Sequence, residues 1–560
     1  MEETKEKELV KNLETRFSQL KENRQKFESE WTEAQKYANN VQLNWDNVGE
    51  VPTRPKRFTS KPYQYKTTLD AGIQGYAISP SLVWFKLGME NSEILNEYGV
   101  KDWLEKTEKE MLAEFNRTNF YREIGPTIGD STCIGHGCTF IDEDIENMRL
   151  RFTHFQPNEI YLDVNSYGEV DTCFRRYSDT LRNIVEFFKL ENVCESMKLA
   201  YEDSNNWNKS FEILMAVYQR KEYNPKHKTA KNMPFACVYL DVANHHILLE
   251  SGYNEFPFAV FYWDRYSSFA YGSSPALDAM ADIKSLNVLK KSSLQIAQTS
   301  AEPPMKASED MHEIDMSPRG ITYLPAKDSV LEPLRTGENY NITINELAKA
   351  ENDVKEFFYV DYFLALQEKQ GKMTATEVME LQGEKSATLS KFIVSLNDFL
   401  SKIITRTFFL MLRAGRLPPL PTAFADEKNR QKANIKIDFT GPLALNQKKY
   451  HQMGGTIKAL NAVGPIIQMF PNAGDYIDGD ELMKSTAEGM GMPQNVIREE
   501  ADVKKIREQR IKTQQEAASQ QQQMAMAQSL MQNADKIGKA AEEDSMMNAI
   551  NKQLTGGMNG

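Results

Sequence analysis

Between residues 5 and 38 the apolar positions Leu13, Phe17, Leu20, Phe27, Trp31, Ala34 and Ala38 recur at steps of three, four and seven amid Lys and Glu. That spacing puts them on one face of an amphipathic helix. A second helix is expected from Lys66 to about Ile78. It runs into SPSLVWFKL, where Pro80 ends the helix and Val83, Trp84 and Phe85 favour a strand. Residues 100 to 118 return to helical spacing. From about 130 to 265 the pattern shortens into β-type runs separated by turn residues: CTFIDED, MRLRFTHF, EIYLDVNSYGEV, CFRRYS, FEILMAVYQRKEY, FACVYLD, HHILLE and FPFAVFYW. This predicts a β-rich region, interrupted by a helical insert, LRNIVEFFKLENVCESMKLAYED.

After Tyr271-Gly272-Ser273-Ser274 the spacing predicts a helix from 275 to 299, with Pro275 suited to its first turn. It stops before Pro303-Pro304. Residues 301 to 340 hold prolines, glycines and short β-like pieces such as GITYLP, a compact non-helical excursion. A second helix is expected from 343 to 369. The stretch LALQEKQGKMTATEVMEL then breaks the pattern: Gly371 suits a helix C-terminus, and Thr374-Ala375-Thr376-Glu377 is a capping box that opens a third helix. That helix carries Val378, Leu381, Leu389, Phe392, Ile393, Leu396, Phe399, Leu400, Ile403 and Ile404 before Gly415 and Pro418-Pro419. If continuous it is roughly 60 Å long at about 1.5 Å per residue. Between the two helices QEKQGKM, with Lys369 and Lys372, projects as a polar loop, for which a solvated hairpin turn is the plain reading. Further on, NIKIDFTGPL is strand-like, residues 446 to 468 and 478 to 490 are helical, and REEADVKKIREQR is a charged segment. The Gln/Met/Ala-rich stretch that follows, TQQEAASQQQQMAMAQSLMQ to GGMNG, reads as helix or disorder. No fixed-period repeat emerges.

Composition narrows the classes. At 560 residues, 41% hydrophobic and 26% charged, most of the chain can fold around a sizeable core. The net charge of -12 argues against a protein that coats nucleic acid with a broad basic face. The nearest approach to a membrane span, IITRTFFLMLRAG, contains Arg406 and Arg413, so no membrane insertion is expected. The opening MEETKEKELVKNLE is charged from its second residue, which predicts neither signal nor transit peptide and a cytosol-like compartment. Cys133, Cys138, Cys173, Cys194 and Cys237 are odd in number and scattered, as expected of reduced thiols.

Reactive chemistry is thin. QGEKSAT at 382 to 388 fails as a phosphate-binding loop because it has no Gly-Lys pair and lies inside the third helix. AEGMGMPQN near 489 has two glycines of a dinucleotide fingerprint but no strand before it. Cys133, His136 and Cys138 are zinc-type ligands at a spacing that is not that of a finger, and two small residues packed in a β-rich sheet explain them more simply. The carboxylates of IDEDIEN (141 to 147) and AGDYIDGDE (473 to 481) suit a divalent ion or acid-base work, and surface turns equally. No Gly-x-Ser-x-Gly elbow is present. No cofactor is expected.

Several strings, in this order and spacing, resemble the head-to-tail connector, or portal, proteins of short-tailed bacteriophages: SPSLVWFKL, GHGCTFIDED, NEIYLDVNSYGEVDTCFRRY, YGSSPALDAMADIKSLN, KMTATEVMELQGEK, AGRLPPLP and DFTGPLALNQ. The resemblance covers most of the chain. It implies an α+β portal fold with a β-rich wing over 1–270, a first stem helix over 271–299, a small α/β clip over 300–341 and a second stem helix over 342–368. A tunnel loop would occupy 369–373, the long wing helix and its return strand 374–440, a helical crown 441–512 and a low-complexity tail 513–560. On the same resemblance the subunits form a ring, usually of twelve copies, at one capsid vertex, around a channel for double-stranded DNA during packaging and ejection. Lys369, Gln370 and Lys372 would face the DNA. Pro303, Pro304, Arg319 and Tyr323 would lie in the clip that docks the packaging ATPase (large terminase) and the tail adaptor or neck proteins. Capsid and scaffolding proteins are further implied partners, assembly is implied in the host cytoplasm, and no catalysis is implied.

Two other classes stay open from the residues. A metal-dependent enzyme acting on nucleic acid would draw on Asp142 and Asp144. A cytosolic scaffold would assemble as a coiled coil through residues 5 to 38 and the C-terminal tail.

Overall fold

The architecture is that of a computed structural model of the chain. It describes residues 2–95, 97–144, 147–224, 229–267, 269–309, 328–333, 340–367, 389–425 and 434–443, with scattered positions from 311 to 526. Residues 1–458 and 459–560 form two separate compact units. In the second, the described residues include a helical stretch from 503 to 513, whose Arg507 makes a paired contact with both carboxylate oxygens of Asp480, at 2.6 and 2.5 Å.

The first unit mixes helix and sheet and is α+β. Helix α1 (Glu2–Ala34) matches the expected apolar stripe and continues into a single π-turn (Gln35–Asn39), closed by Asn40 in the left-handed region at φ 56°. Helix α2 (Lys61–Ala77) starts five residues before its apolar pattern, because Pro62 is tolerated in a first turn, where no intrahelical N–H is required. Strand β1 (Phe85–Met89) pairs antiparallel with the distant β14 (Ile435–Phe439); Val83 and Trp84 precede the strand rather than lying in it. Helices α3 (Ser92–Leu95), α4 (Val100–Arg117) and α5 (Phe120–Ile134) follow.

Helix α5 corrects the expected start of the β region. Its buried residues Phe120, Ile124, Thr127, Ile128 and Ser131 keep helical spacing to Ile134, and Gly135 at φ 91° ends it. Cys133 therefore sits on a helix and not in a sheet, while Cys138 lies on the next strand. That strand, β2 (His136–Asp144), is the centre of a three-stranded antiparallel sheet with β3 (Arg149–Phe155) and β9 (Phe258–Tyr262).

The second sheet has five antiparallel strands in sequential order: β4 (Ile160–Val164), β5 (Val170–Thr180), β6 (Ser210–Gln219), β7 (Phe235–Asp241) and β8 (His246–Tyr253). Both faces are buried. On β6, Leu214 and Ala216 pack with Val10, Leu13 and Leu20 of α1, while the alternating Ile213, Met215 and Val217 enter the main core. Helix α1 is thus one cover of the sheet, with its apolar face occupied by its own chain, and not a free coiled-coil strand. The insert between β5 and β6 is two short helices, α6 (Leu181–Phe188) and α7 (Glu195–Tyr201), because the polar turn after Lys189, at φ 73°, interrupts the expected single segment.

After the short pair β10 (Asp264–Arg265) and β11 (Gly272–Ser273) the expected helix from 275 is split at Ala279 into α8 (Pro275–Asp278) and α9 (Met280–Ala301). The ribbon β12 (Met305–Ala307) with β13 (Leu331–Pro333) leads back to α10 (Tyr340–Phe357). The helix expected through 369 is also split: Tyr359 adopts φ 52°, and α11 (Val360–Gln367) restarts beyond it. The described part of the third long helix, α12 (Ser390–Arg413), buries Phe392, Leu396, Phe399, Leu400, Ile403 and Ile404 as its spacing predicts.

Candidate functional site

The element that stands out is the helix pair α9–α10 with the ribbon β12–β13 joining its ends. Its root is set by the string YGSSPALD. The hydroxyl of buried Tyr271 accepts the amide N–H of Leu162 at 3.2 Å. Ser274 caps α8: its Oγ accepts from the Leu277 amide at 3.1 Å and donates to the Cys133 carbonyl at 2.7 Å. Ser273 Oγ donates to Asp278 at 2.5 Å. At Gly272 a Cβ would come within 2.0 Å of the Asp264 carbonyl oxygen, so no larger residue fits that crossing. Two serines, a proline and a glycine each carry a distinct part of the anchor.

Burial falls away along the pair. On α9 Ile283 and Leu286 are in the core, whereas Val288 and Leu294 are 59% and 43% exposed. On α10 Val354 is buried and Ile344 is 40% exposed. Towards the ribbon, apolar side chains therefore face solvent in the isolated chain. Glu302 closes α9, its amide donating to the Gln298 carbonyl, and Pro303 and Pro304 follow without an N–H to extend it. The ribbon pairs Met305 with Pro333, Lys306 with Glu332 and Ala307 with Leu331, and Lys306 reaches Glu332 at 3.2 Å. Ser308 extends it, its amide donating to the Val330 carbonyl at 3.0 Å and its Oγ accepting the Val330 amide at 2.7 Å.

Pro303 and Pro304 thus stand where α9 passes into the ribbon. Arg319 and Tyr323 lie outside the described residues, as do Lys369, Gln370, Gly371, Lys372, the capping box 374–377 and QGEKSAT. Helix α11, which leads towards that loop, is described as far as Gln367. Lys355 and Asp361 bridge the break before it at 2.5 Å.

The sequence-predicted metal and acid-base residues have structural occupations. His136 is enclosed between Trp31 and Tyr271, with ring centroids 4.9 and 5.0 Å away, and burial pushes its pKa down to about 3. Burial pushes the Cys133 thiol up to about 12. Asp142, its carboxyl also raised by burial, takes a long contact from the Tyr253 hydroxyl at 3.5 Å; Glu143 pairs with Arg416 at 2.6 Å, and Asp144 with Arg149 at 3.4 Å. Among the described residues no group of three or more His, Cys, Asp or Glu could hold a metal ion.

Sequence reading missed the arginines that tie the long helix down. Arg406, buried on α12, donates to the carbonyls of Ile141 and Glu255, both at 3.0 Å. Arg413 makes a paired contact with the Glu255 carboxylate at 2.5 and 2.8 Å, and Arg416, in AGRLPPLP, joins Glu114 at 3.1 Å to Glu143. The signal was an arginine inside an otherwise apolar run, which a buried partner explains as well as the absence of a membrane does. Among the described residues no helix is long and apolar enough to cross a membrane.

The first unit is thus a β-rich body with an anchored helix pair and with its buried charges used for internal ties. The chain belongs to the family of bacteriophage head to tail connecting proteins, whose model matches residues 10–497. It is similar to the portal protein of Salmonella phage epsilon15, with 27% identity over 557 residues covering 97% of each chain. It is also 26% identical, over 555 residues, to the probable portal protein of Bordetella phage BPP-1, covering 96% of this chain and 97% of that one. Proteins of this family are structural virion components.

Proposed function

We propose that the chain is the portal subunit of a bacteriophage: a ring-forming protein at one capsid vertex, through which double-stranded DNA is packaged and ejected. Near full-length similarity to two portal proteins carries this reading. The solvent-facing Val288, Leu294 and Ile344 support it, because a heterologous contact that closes by rotation would cover such side chains with the next copy. In this reading the body to about 270 is wing, α8–α9 and α10–α11 are the stem, residues 300–341 are the clip, 374–440 return to the wing and 441–512 form the crown. The clip, with Pro303, Pro304, Arg319 and Tyr323, docks the large terminase and later the tail adaptor or neck proteins; capsid and scaffolding proteins contact the outside of a ring of about twelve copies.

The subunit performs no bond chemistry. Its work is geometric: it holds a channel open and offers docking surfaces. Lys369, Gln370 and Lys372 form a polar loop that touches passing DNA. A few lysines at solvent-filled range attract phosphate weakly, which suits sliding rather than capture. Assembly takes place in the host cytoplasm.

Negative-stain electron microscopy of the purified chain tests the ring: end-on classes should show rotational symmetry around a hole wide enough for duplex DNA. Compact monomers under all assembly conditions tried would count against it. For the loop, Lys369→Ala with Lys372→Ala should leave rings intact and reduce genome packaging or retention; normal filling in the double variant refutes that assignment.

A further inference from the structure

A basic surface lies beside the root of α9 in a chain whose net charge is -12. Residues 51–60, containing Arg54-Pro55-Lys56-Arg57-Phe58, run without helix or extended strand from a bridge between Gln42 and Thr53 to the start of α2. The segment is fixed at three points. The Phe58 amide donates to Asn287 Oδ1 on α9 at 2.9 Å. Arg57 donates to the Tyr37 carbonyl at 3.0 Å and lies over the Tyr63 ring at 5.4 Å. Lys291, one turn beyond Asn287, sits over the Phe58 ring at 5.6 Å.

Two chain segments meet at Phe58, one carrying Arg54, Lys56, Arg57 and Lys61 and the other Lys290 and Lys291. Arg54, Lys56 and Lys291 are exposed. Among the described residues no carboxylate pairs with Arg54, Lys56, Arg57, Lys290 or Lys291, and Lys61 meets Glu351 at a loose 3.9 Å. Three residues before Asn287 on α9, Lys284 already pairs with Glu33 at 2.5 Å, so that carboxylate is engaged.

We propose that this surface binds the phosphate backbone of nucleic acid, without reading base sequence. Guanidinium groups match phosphate geometry, and two of them stand three residues apart on a segment held in place. The nearby aromatic rings do not serve as base-stacking platforms, since Lys291 and Arg57 already lie over Phe58 and Tyr63. Backbone contact is what remains. The proposal draws on none of the loop lysines, and it does not rest on the channel reading.

The test is fluorescence anisotropy of a labelled 30-base-pair DNA duplex titrated with full-length protein across a salt series. We expect Arg54→Gln, Lys56→Gln and Lys291→Gln together to weaken binding at least tenfold at low salt. They should also flatten the plot of log affinity against log salt by about two to three units, since each phosphate contact contributes roughly 0.9. An unchanged slope in the triple variant, with size and circular dichroism also unchanged, overturns the proposal. So does binding of a poly-glutamate peptide in place of the duplex, which would make this a surface for an acidic protein. If rings are absent but the slope still falls, the phosphate site stands and the portal reading fails.

Discussion

Arg24 offers the sharpest test of how α1 is held. Its side chain is fully buried, yet α1 is otherwise a strongly charged helix. The guanidinium donates to the carbonyls of Asn158 at 2.8 Å and Ile160 at 3.0 Å, with longer contacts of 3.4 Å to those of Pro157 and Trp45. It pairs with Glu28 at 2.8 Å and lies 3.7 Å over the Tyr161 ring. Arg24→Met keeps most of the volume and removes every donor. Glu28, at 16% side-chain exposure, can still reach water, so the loss falls on the buried carbonyls. Two carbonyls left without partners cost about 1–3 kcal/mol each, and breaking a buried ion pair costs about 3–5 kcal/mol in total. Some of this is offset because a buried cation no longer has to be desolvated. A net of about 3–4 kcal/mol follows. The chain is too large for a two-state melt, so the assay is native-state hydrogen exchange of the β4 and β5 amides, whose opening free energy includes release of α1. Protection should fall by roughly two to three orders of magnitude, with Glu28→Gln as a milder control. A loss of less than tenfold in Arg24→Met would show that α1 is held by its apolar stripe alone.

Two further substitutions probe the turn between α5 and β2. Gly135→Ala forces a φ of 91° on an L-residue and sets its Cβ 2.4 Å from the Gly272 carbonyl oxygen, so the soluble yield and the hydrogen-exchange protection of the β2 amides should both drop; unchanged protection would refute the clash. His136 has its folded-state pKa depressed to about 3, against roughly 6.5 when unfolded. Its neutral form is compatible with folding, so no stability is lost above about pH 6.5, and about 1.4 kcal/mol per pH unit is lost as pH falls from there towards 3. His136→Phe should remove that share of the acid sensitivity in denaturant titrations at pH 4 to 7, and identical pH profiles for both proteins would contradict it.

The elements that could be read from the sequence are those whose burial has one dominant direction. Helices α1 and α12 each press one stripe against a sheet, so period and environment agree, and β6 and β7, buried on both faces, read as short continuous apolar runs. The misread positions are those where tertiary contact overrides local pattern. Helix α5 contains Pro126 and two glycines, weak helix formers, and is held by its burial against β2 and β3. The breaks at Ala279 and Tyr359 leave no trace in apolar spacing, because the residues on both sides stay in phase with a continuous helix. At the candidate site, YGSSPALD was legible as a helix start, but the Ser274 bond to Cys133, 141 positions away in sequence, was not. The basic surface went unnoticed because its cations come from two segments that only folding brings together. Net charge averages over such patches.

The pairing of β1 with β14 has a consequence in time. Phe85 meets Phe439 and Met89 meets Ile435, so among the described residues the first strand finds its ladder partner about 350 residues later in the chain. A ribosome working at roughly 5–20 residues per second takes about 20–70 s to supply it. Throughout that interval β1 presents an open edge in a crowded cell, the kind of edge that recruits the wrong strand. Completion of the body is therefore coupled to completion of synthesis. A subunit truncated by a stalled ribosome before residue 435 carries an unpaired strand that marks it for chaperones and proteases before it can join its full-length siblings.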